Sequence, residues 1–173
     1  MSDHALGAPR EIGIVPAAGQ EDMALVRDLF LEYQAWLEVD LCFQGFEAEL
    51  ASLPGGYGPP LGGLWFARVD GETAGVVGLR PLAADGVSEM KRLWVRPDYR
   101  GLGLGRRLAE TTVTAARAAG HRSLCLDTLP MMARAHGLYA SLGFRAAAPY
   151  CHNPLDGVVY LELDLVAEPV ESA

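Results

Sequence analysis

Apolar residues fall at three- and four-residue steps along Met23, Val26, Phe30, Tyr33 and Leu37. That spacing predicts a helix with one apolar stripe. Ahead of it, Glu11 to Val15 reads as a short strand stopped at Pro16, and Ala17-Ala18-Gly19 turns the chain. Further along the period changes. Leu64 to Val69 and Thr73 to Leu79 are β-rich runs flanking Asp70-Gly71, a strong hairpin signal. Pro81 to Gly86 makes the next turn, and Val87 to Val95 returns as an antiparallel strand. The helical period resumes from Leu104 to Ala119, with Leu108, Ala115 and Ala119 on one side and Gly120 as its stop. Ser123 to Asp127 is the next strand, and a strand-helix-strand crossover makes it parallel to the one ending at Val95. Leu129-Pro130 breaks the chain before a helix from Met132 to Leu142, ended by Gly143. Arg145 to Tyr150 and Val158 to Leu165 read as two last strands around a turn at His152 to Gly157.

The stretch from Asp40 to Pro60 is the least regular, with a short helix over Phe46 to Ser52 and a loop from Leu53 to Pro60. Its aromatics, Phe43, Phe46 and Tyr57, either pack over the core edge or form the wall of a pocket. The pattern as a whole predicts an α/β (α+β) fold: a mixed, mostly antiparallel sheet with helices on both faces. A ligand is expected where the strands ending at Val95 and Asp127 part, because ligands bind beyond strand ends at a switch point. One domain is expected over residues 11–165, between a loose arm at 1–10 and a frayed tail at 166–173.

Composition narrows the function. The chain has 173 residues, half of them hydrophobic, enough for one full core. A net charge of −8 argues against sequence-independent nucleic-acid binding, which needs a positive face. The 3 cysteines, Cys42, Cys125 and Cys151, are scattered without C-x-x-C spacing, which fits reduced thiols in a cytoplasmic protein. No stretch is long enough to span a membrane, and the first residues lack the apolar run of a signal peptide. Cys151-His152 has no partner at metal-ligand spacing, so no metal is expected.

The chemistry concentrates between Glu89 and Arg106. A strand there runs into Arg100-Gly101-Leu102-Gly103-Leu104-Gly105, and this glycine loop opens the helix from Leu104. Glycine lets backbone N–H groups approach a ligand, and the helix start directs donors and dipole to the same place. The result is a socket for an anion such as a phosphate. A dinucleotide fingerprint would need a glycine where Arg106 stands, and a P-loop would need Gly-Lys-Ser/Thr. What stands instead is V-x-P-x-x-R-G-x-G-x-G, formed by Val95, Pro97, Arg100, Gly101, Gly103 and Gly105. This stretch resembles the acyl-CoA site of the GCN5-related N-acetyltransferases (GNAT). A second stretch, Ala135-x-x-Leu138-Tyr139-x-x-x-Gly143-Phe144, is similar to the family's distal motif. The resemblance covers roughly Leu64 to Phe144.

The resemblance implies acetyl-CoA as co-substrate and direct transfer of its acetyl group to a primary amine of a small molecule or peptide. It also implies roles for residues. The backbone of Leu93, Trp94 and Val95 would take the oxyanion and the pantetheine arm. The amides of Gly101, Leu102, Gly103, Leu104, Gly105 and Arg106 would take the pyrophosphate, with Arg100 and Arg106 adding charge. Tyr139 would act as general acid toward the departing thiolate, unless it is a core aromatic packed on Leu142 and Phe144. Glu89 would act as general base, unless it is a surface residue paired with Lys91. Even spacing on the strand puts Glu89, Lys91, Leu93 and Val95 on one face if no bulge intervenes. Tyr33 and Trp36, on the first helix, and Phe43 and Tyr57, in the irregular stretch, are candidate acceptor contacts. Met132 stands where many members carry an asparagine that touches the pantetheine arm. Other readings are transfer of a longer acyl group and a CoA-binding sensor module without turnover. Dimerisation is common in the family.

Overall fold

The computed structural model describes residues 8–167. Residues 1–7 of the expected arm and 168–173 of the expected tail lie outside them. The elements are β1 (Ile12–Pro16), α1 (Gly19–Leu37), α2 (Phe46–Ser52), β2 (Gly63–Val69), β3 (Glu72–Pro81), β4 (Val87–Val95), α3 (Leu104–Ala118), β5 (Ser123–Thr128), α4 (Ala133–Ser141), β6 (Arg145–Ala146) and β7 (Val159–Asp164). The strands form one sheet in the order β1-β2-β3-β4-β5-β7-β6. Every neighbouring pair is antiparallel except β4 and β5.

The β2–β3 hairpin turns on Asp70 (φ 51°) and Gly71 (φ 84°). Positive φ at both central residues matches the twist of the flanking strands, which is why the Asp-Gly pair was legible. The sheet separates two cores. On one face α3 and α4 cover Val77, Leu79, Met90, Leu124 and Leu126. On the other α1 and α2 cover Leu64, Phe66, Val76 and Trp94. The α3 stripe of Leu104, Leu108, Ala109 and Ala116 is almost fully buried. Its close approach needs Gly75, where a Cβ would stand 2.6 Å from the Trp94 carbonyl oxygen and 3.3 Å from Leu108 Cδ1.

Two strand expectations are corrected. The run from Arg145 to Tyr150 pairs as a strand only over Arg145–Ala146, followed by one more bond from Ala147 N–H to the Tyr160 carbonyl (2.9 Å). Alanines have little to pack on a pleated surface, and Pro149 has no donor for the ladder. The second correction lies in β4. Lys91 pairs with Gly78 and Trp94 with Val76, so Arg92 and Leu93 together oppose Val77. Arg92 absorbs this bulge with φ 59°. The alternation therefore changes phase. Met90 faces the α3–α4 core, but so do Leu93 and Val95. Glu89 and Lys91 do not share a face with Leu93 and Val95; they point to the side of α2, where Lys91 reaches Gln44.

The bulge matters for the site. The parallel β4–β5 pairing runs from Val87↔Ser123 to Glu89↔Cys125 and stops there. Beyond that point β4 stays with β3 and β5 stays with β7. A bulge increases local twist, so the two strands fork.

Candidate active site at the strand fork

The fork opens into a cleft lined by Tyr33 of α1, Met90 to Leu93 of β4, Leu126 to Leu129 at the end of β5, Met132 and Tyr139 of the α4 region, and Asn153 and Leu155. One edge of the cleft is bare backbone. The Arg96 N–H donates to the Ala74 carbonyl at 2.9 Å, towards β3. Strand alternation then turns the N–H groups of Val95 and Leu93 the other way, to the fork. Among the described residues no strand takes them there, which leaves this edge to pair with an extended ligand.

The glycine loop closes the outer end. Gly101 (φ 82°) and Gly103 (φ 75°) both adopt the left-handed conformation, and a Cβ at either would meet nothing within 4 Å. Glycine is thus required by the backbone, and the space above it is open. Gly103 caps α3, and the Arg107 N–H already bonds its carbonyl at 3.2 Å. The N–H groups of the residues before Arg107 have no intrahelical acceptor and point out of the helix start. A phosphate-sized anion fits this arrangement.

The expected side chains distribute unevenly. Tyr33, Leu93 and Tyr139 come together in the cleft. Trp94 turns to the opposite core, where its ring lies 6.1 Å from that of Tyr33 and 5.2 Å from that of Trp36. The Arg100 guanidinium stacks over Trp36 (5.1 Å) and Trp94 (5.3 Å). Arg106 bonds Ser141 Oγ at 2.6 Å, tying α3 to α4. Trp36 and Tyr57 are absent from the cleft wall. Tyr57 is buried, with its edge on Phe30 and its hydroxyl on Glu49. The Phe43 side chain lies outside what the structure describes.

Glu89 is neither on the surface nor on the cleft wall. It is 1 % exposed. Its Oε1 accepts from Arg80 Nε (3.0 Å) and pairs with Arg80 NH2 (2.8 Å), with Lys91 Nζ 3.7 Å away. Beside it lies Tyr150, whose hydroxyl is buried without a hydrogen-bond partner among the described residues. Burial raises the Tyr150 phenol far above its ordinary range, and the charges of Glu89 and Asp127 push the same way. It therefore stands protonated.

Three charged groups do reach the cleft: Lys91, Arg92 and Asp127. Arg92 grips Glu49 through NH2 (2.7 Å) and Nε (3.2 Å), gives NH1 to Gln44 (2.9 Å), and lies over the Phe46 ring at 4.9 Å. Lys91 contacts Asp127 Oδ1 and Gln44 Oε1, both at 3.3 Å. Asp127 Oδ2 accepts from Asn153 Nδ2 at 3.0 Å. Burial pushes the Tyr33 phenol up to about 12, with Arg92 lowering it and Asp127 raising it. Burial also raises Tyr139, with Tyr33 and Asp127 adding to the effect. Both phenols thus remain neutral donors at the cleft. Thr128 Oγ1 meets Met132 Sδ at 3.6 Å, so the side chain at the family's usual asparagine position lies against the cleft wall.

Lys91, Asp127, Asn153 and Gln44 were not read as site residues from the sequence. Asp127 ends a strand at the predicted gap, and that position was the available signal. Gln44 and Asn153 lie in irregular stretches and carry none.

This combination, a bare strand edge running into a two-glycine anion socket, agrees with the comparisons. The sequence profile of the Acetyltransferase (GNAT) family matches residues 26–144. The chain belongs to the GNAT acetyltransferase family. Its class is that of an N-acetyltransferase. An uncharacterized N-acetyltransferase of Schizosaccharomyces pombe is 39 % identical over 158 residues, covering 91 % of this chain and 97 % of its own. The human N-acetylaspartate synthetase is 32 % identical over 100 residues, 58 % of this chain and 33 % of that protein. Among solved structures, yncA of Salmonella typhimurium, determined with its cofactor acetyl-CoA, has a TM-score of 0.69 at 20 % identity, over 94 % of this chain and 99 % of its own. At that identity the likeness is one of GNAT fold. Among the described residues no helix is long and apolar enough to cross a membrane.

Proposed function

We propose that this GNAT protein transfers the acetyl group of acetyl-CoA directly to a primary amine bound in the cleft at the β4–β5 fork. The observation that carries the reading is the continuity of the free β4 edge with the Gly101–Gly103 socket, one track for an extended chain ending in phosphates. The co-substrate supplies the activated acetyl group; the chain's own residues do the rest. The N–H groups of Leu93 and Val95 hold the donor at the strand edge and steady the charge that grows on the carbonyl oxygen. The amides of Gly101 to Arg106 hold the diphosphate. Tyr139, on the cleft wall and kept protonated by burial, donates to the departing sulfur.

The acceptor amine arrives as an ammonium and must lose a proton. Glu89 is the base in this reading. It cannot touch the acceptor, because it is sealed beneath Arg80. The proton passes in this reading through Tyr150, whose phenol neighbours Glu89: it gives its own proton to Glu89 and is reprotonated from the amine's side. The likeness to N-acetylaspartate synthetase supports an acceptor of amino-acid size.

The test is calorimetric titration with acetyl-CoA, with NADH as control. Micromolar binding of acetyl-CoA alone, weakened at least a hundredfold by Gly103→Trp with circular dichroism unchanged, is expected. Glu89→Gln, Tyr150→Phe and Tyr139→Phe should each cut kcat by about 10²-fold, the usual scale of one acid or base, while acetyl-CoA affinity holds. Failure of folded, ligand-free protein to bind acetyl-CoA removes the reading.

A further inference from the structure

Lys91 and Asp127 form an ion pair whose geometry is unusual for its burial. Their side chains are only 6 % and 8 % exposed, yet they stand 3.3 Å apart. Charge-assisted bonds between well-matched partners close to about 2.7–2.9 Å, as Arg92 and Glu49 do at 2.7 Å on the next residue of the same strand. The other Lys91 contacts are also long, 3.3 Å to Gln44 and 3.7 Å to Glu89. An ammonium has three donors, and none of these is well spent. Asp127 has room as well: a carboxylate can accept about four bonds, and it takes two, from Lys91 and Asn153.

Two under-bonded opposite charges thus lie side by side on the cleft wall. Arg92, the remaining charge there, has Nε, NH1 and NH2 all bonded already. A ligand that matches such a pair carries one positive and one negative group a bond-length or two apart. A lone amine would satisfy Asp127 and leave Lys91 as it was. A free amino acid satisfies both. Asp127 shares the cleft lining with Tyr139, the residue read as the acid toward the departing sulfur, and with Tyr33. Leu37, Leu41 and Leu155 complete the lining and give a side chain an apolar wall.

We propose that the acceptor is a free amino acid held as its zwitterion, its ammonium on Asp127 and its carboxylate on Lys91. This rests on reading the cleft as the acceptor site of an acetyl transfer. Lys91 and Asp127 then act as specificity-determining residues. The pair is neutral with itself in the free enzyme and exchanges its long contacts for shorter ones to the substrate.

The experiment measures acetylation of the free amino acids, each beside its decarboxylated amine and its methyl ester, with acetyl-CoA binding followed separately by calorimetry. The expected best acceptor is a free amino acid, preferred at least tenfold in kcat/KM over its own amine and ester. Lys91→Met should shrink that preference below threefold through a raised KM for the amino acid, and Asp127→Asn should raise the same KM at least tenfold. Asp127→Glu should recover part of the loss. The proposal is overturned if an amine, an ester or a peptide is the best acceptor, or if the preference survives in Lys91→Met. The wild-type comparison decides by itself if a variant does not fold. Acetyl-CoA binding with no turnover of any amino acid also overturns it while leaving the donor site intact; absence of acetyl-CoA binding removes the underlying reading instead.

Discussion

Adjacent residues of β4 make two ion pairs of opposite character. Arg92 holds Glu49 Oε2 through two nitrogens, NH2 and Nε, with side-chain exposures of 3 % and 8 %. Lys91 faces Asp127 at 3.3 Å with similar exposures. Burial is therefore not what separates them. The first pair joins β4 to α2, two elements the fold has to keep in contact. The second joins β4 to β5 across a fork the site has to keep open. A guanidinium with a planar fork suits the lock, and a compact ammonium that can re-aim its donors suits the opening. The contrast teaches that tight geometry, more than burial, marks the structural pair.

The largest test of this contrast is Glu49→Gln. Removing one partner of a buried pair strands the other, at a cost of about 3–5 kcal/mol, read as a lower urea midpoint with unchanged m. The same carboxylate should make stability depend on pH. Burial raises its pKa, but Arg92, helped by the Tyr57 hydroxyl, outweighs burial and holds it below the ordinary 4.5. A folded-state value below the unfolded one adds stability above pH 4.5 that is lost as pH falls through the lowered value. Wild type should lose that increment in acid, and Glu49→Gln should lack it. A flat difference between the two from pH 6 to pH 3 would break the lock assignment. Arg92→Lys comes next: a single ammonium cannot replace the two guanidinium nitrogens that hold Glu49 and the third that holds Gln44, and a loss of about 1–2 kcal/mol is expected. Asp127→Asn keeps shape and can keep its contact with Asn153, so its stability cost should be about 1 kcal/mol despite its large effect on the acceptor. Were it to destabilise as much as Glu49→Gln, the two pairs would not differ in kind. The smallest effect belongs to Glu110→Gln, whose i,i+4 partner Arg106 is half exposed. Such exposed helix pairs contribute about 0.3–0.5 kcal/mol, and thermal melts in low and high salt should bracket it.

Much of this molecule was legible before its structure. The Asp70-Gly71 hairpin, the α2 bounds and the glycine loop followed from residues whose backbone preferences are strong. The parallel crossover and the parting of its strands followed from connectivity. The phase of β4 did not, because the bulge is carried by Arg92 at φ 59°. Nothing in an arginine announces a left-handed conformation. The one-face arrangement of Glu89, Lys91, Leu93 and Val95, which held only if no bulge intervened, is therefore broken. Tyr57 and Trp36 were expected beside the acceptor as aromatics near an irregular stretch. One packs on Phe30 and the other on Trp94 and Arg100, contacts set by tertiary packing that no local pattern encodes. Asp127 and Lys91 meet only because strands distant in sequence diverge at one point.

The fork has one more consequence. Three residue pairs are all that stitch β4 to β5, so the sheet is a zipper left partly undone. A donor molecule laid along the bare β4 edge closes part of it. Any ligand bound only by the folded form adds RT ln(1 + [L]/Kd), about 2.7 kcal/mol at a hundredfold excess over Kd. The lifetime of this protein against cellular proteases should accordingly rise and fall with the supply of its own fuel. Pulse-chase turnover in cells starved and refed for carbon would read that coupling directly.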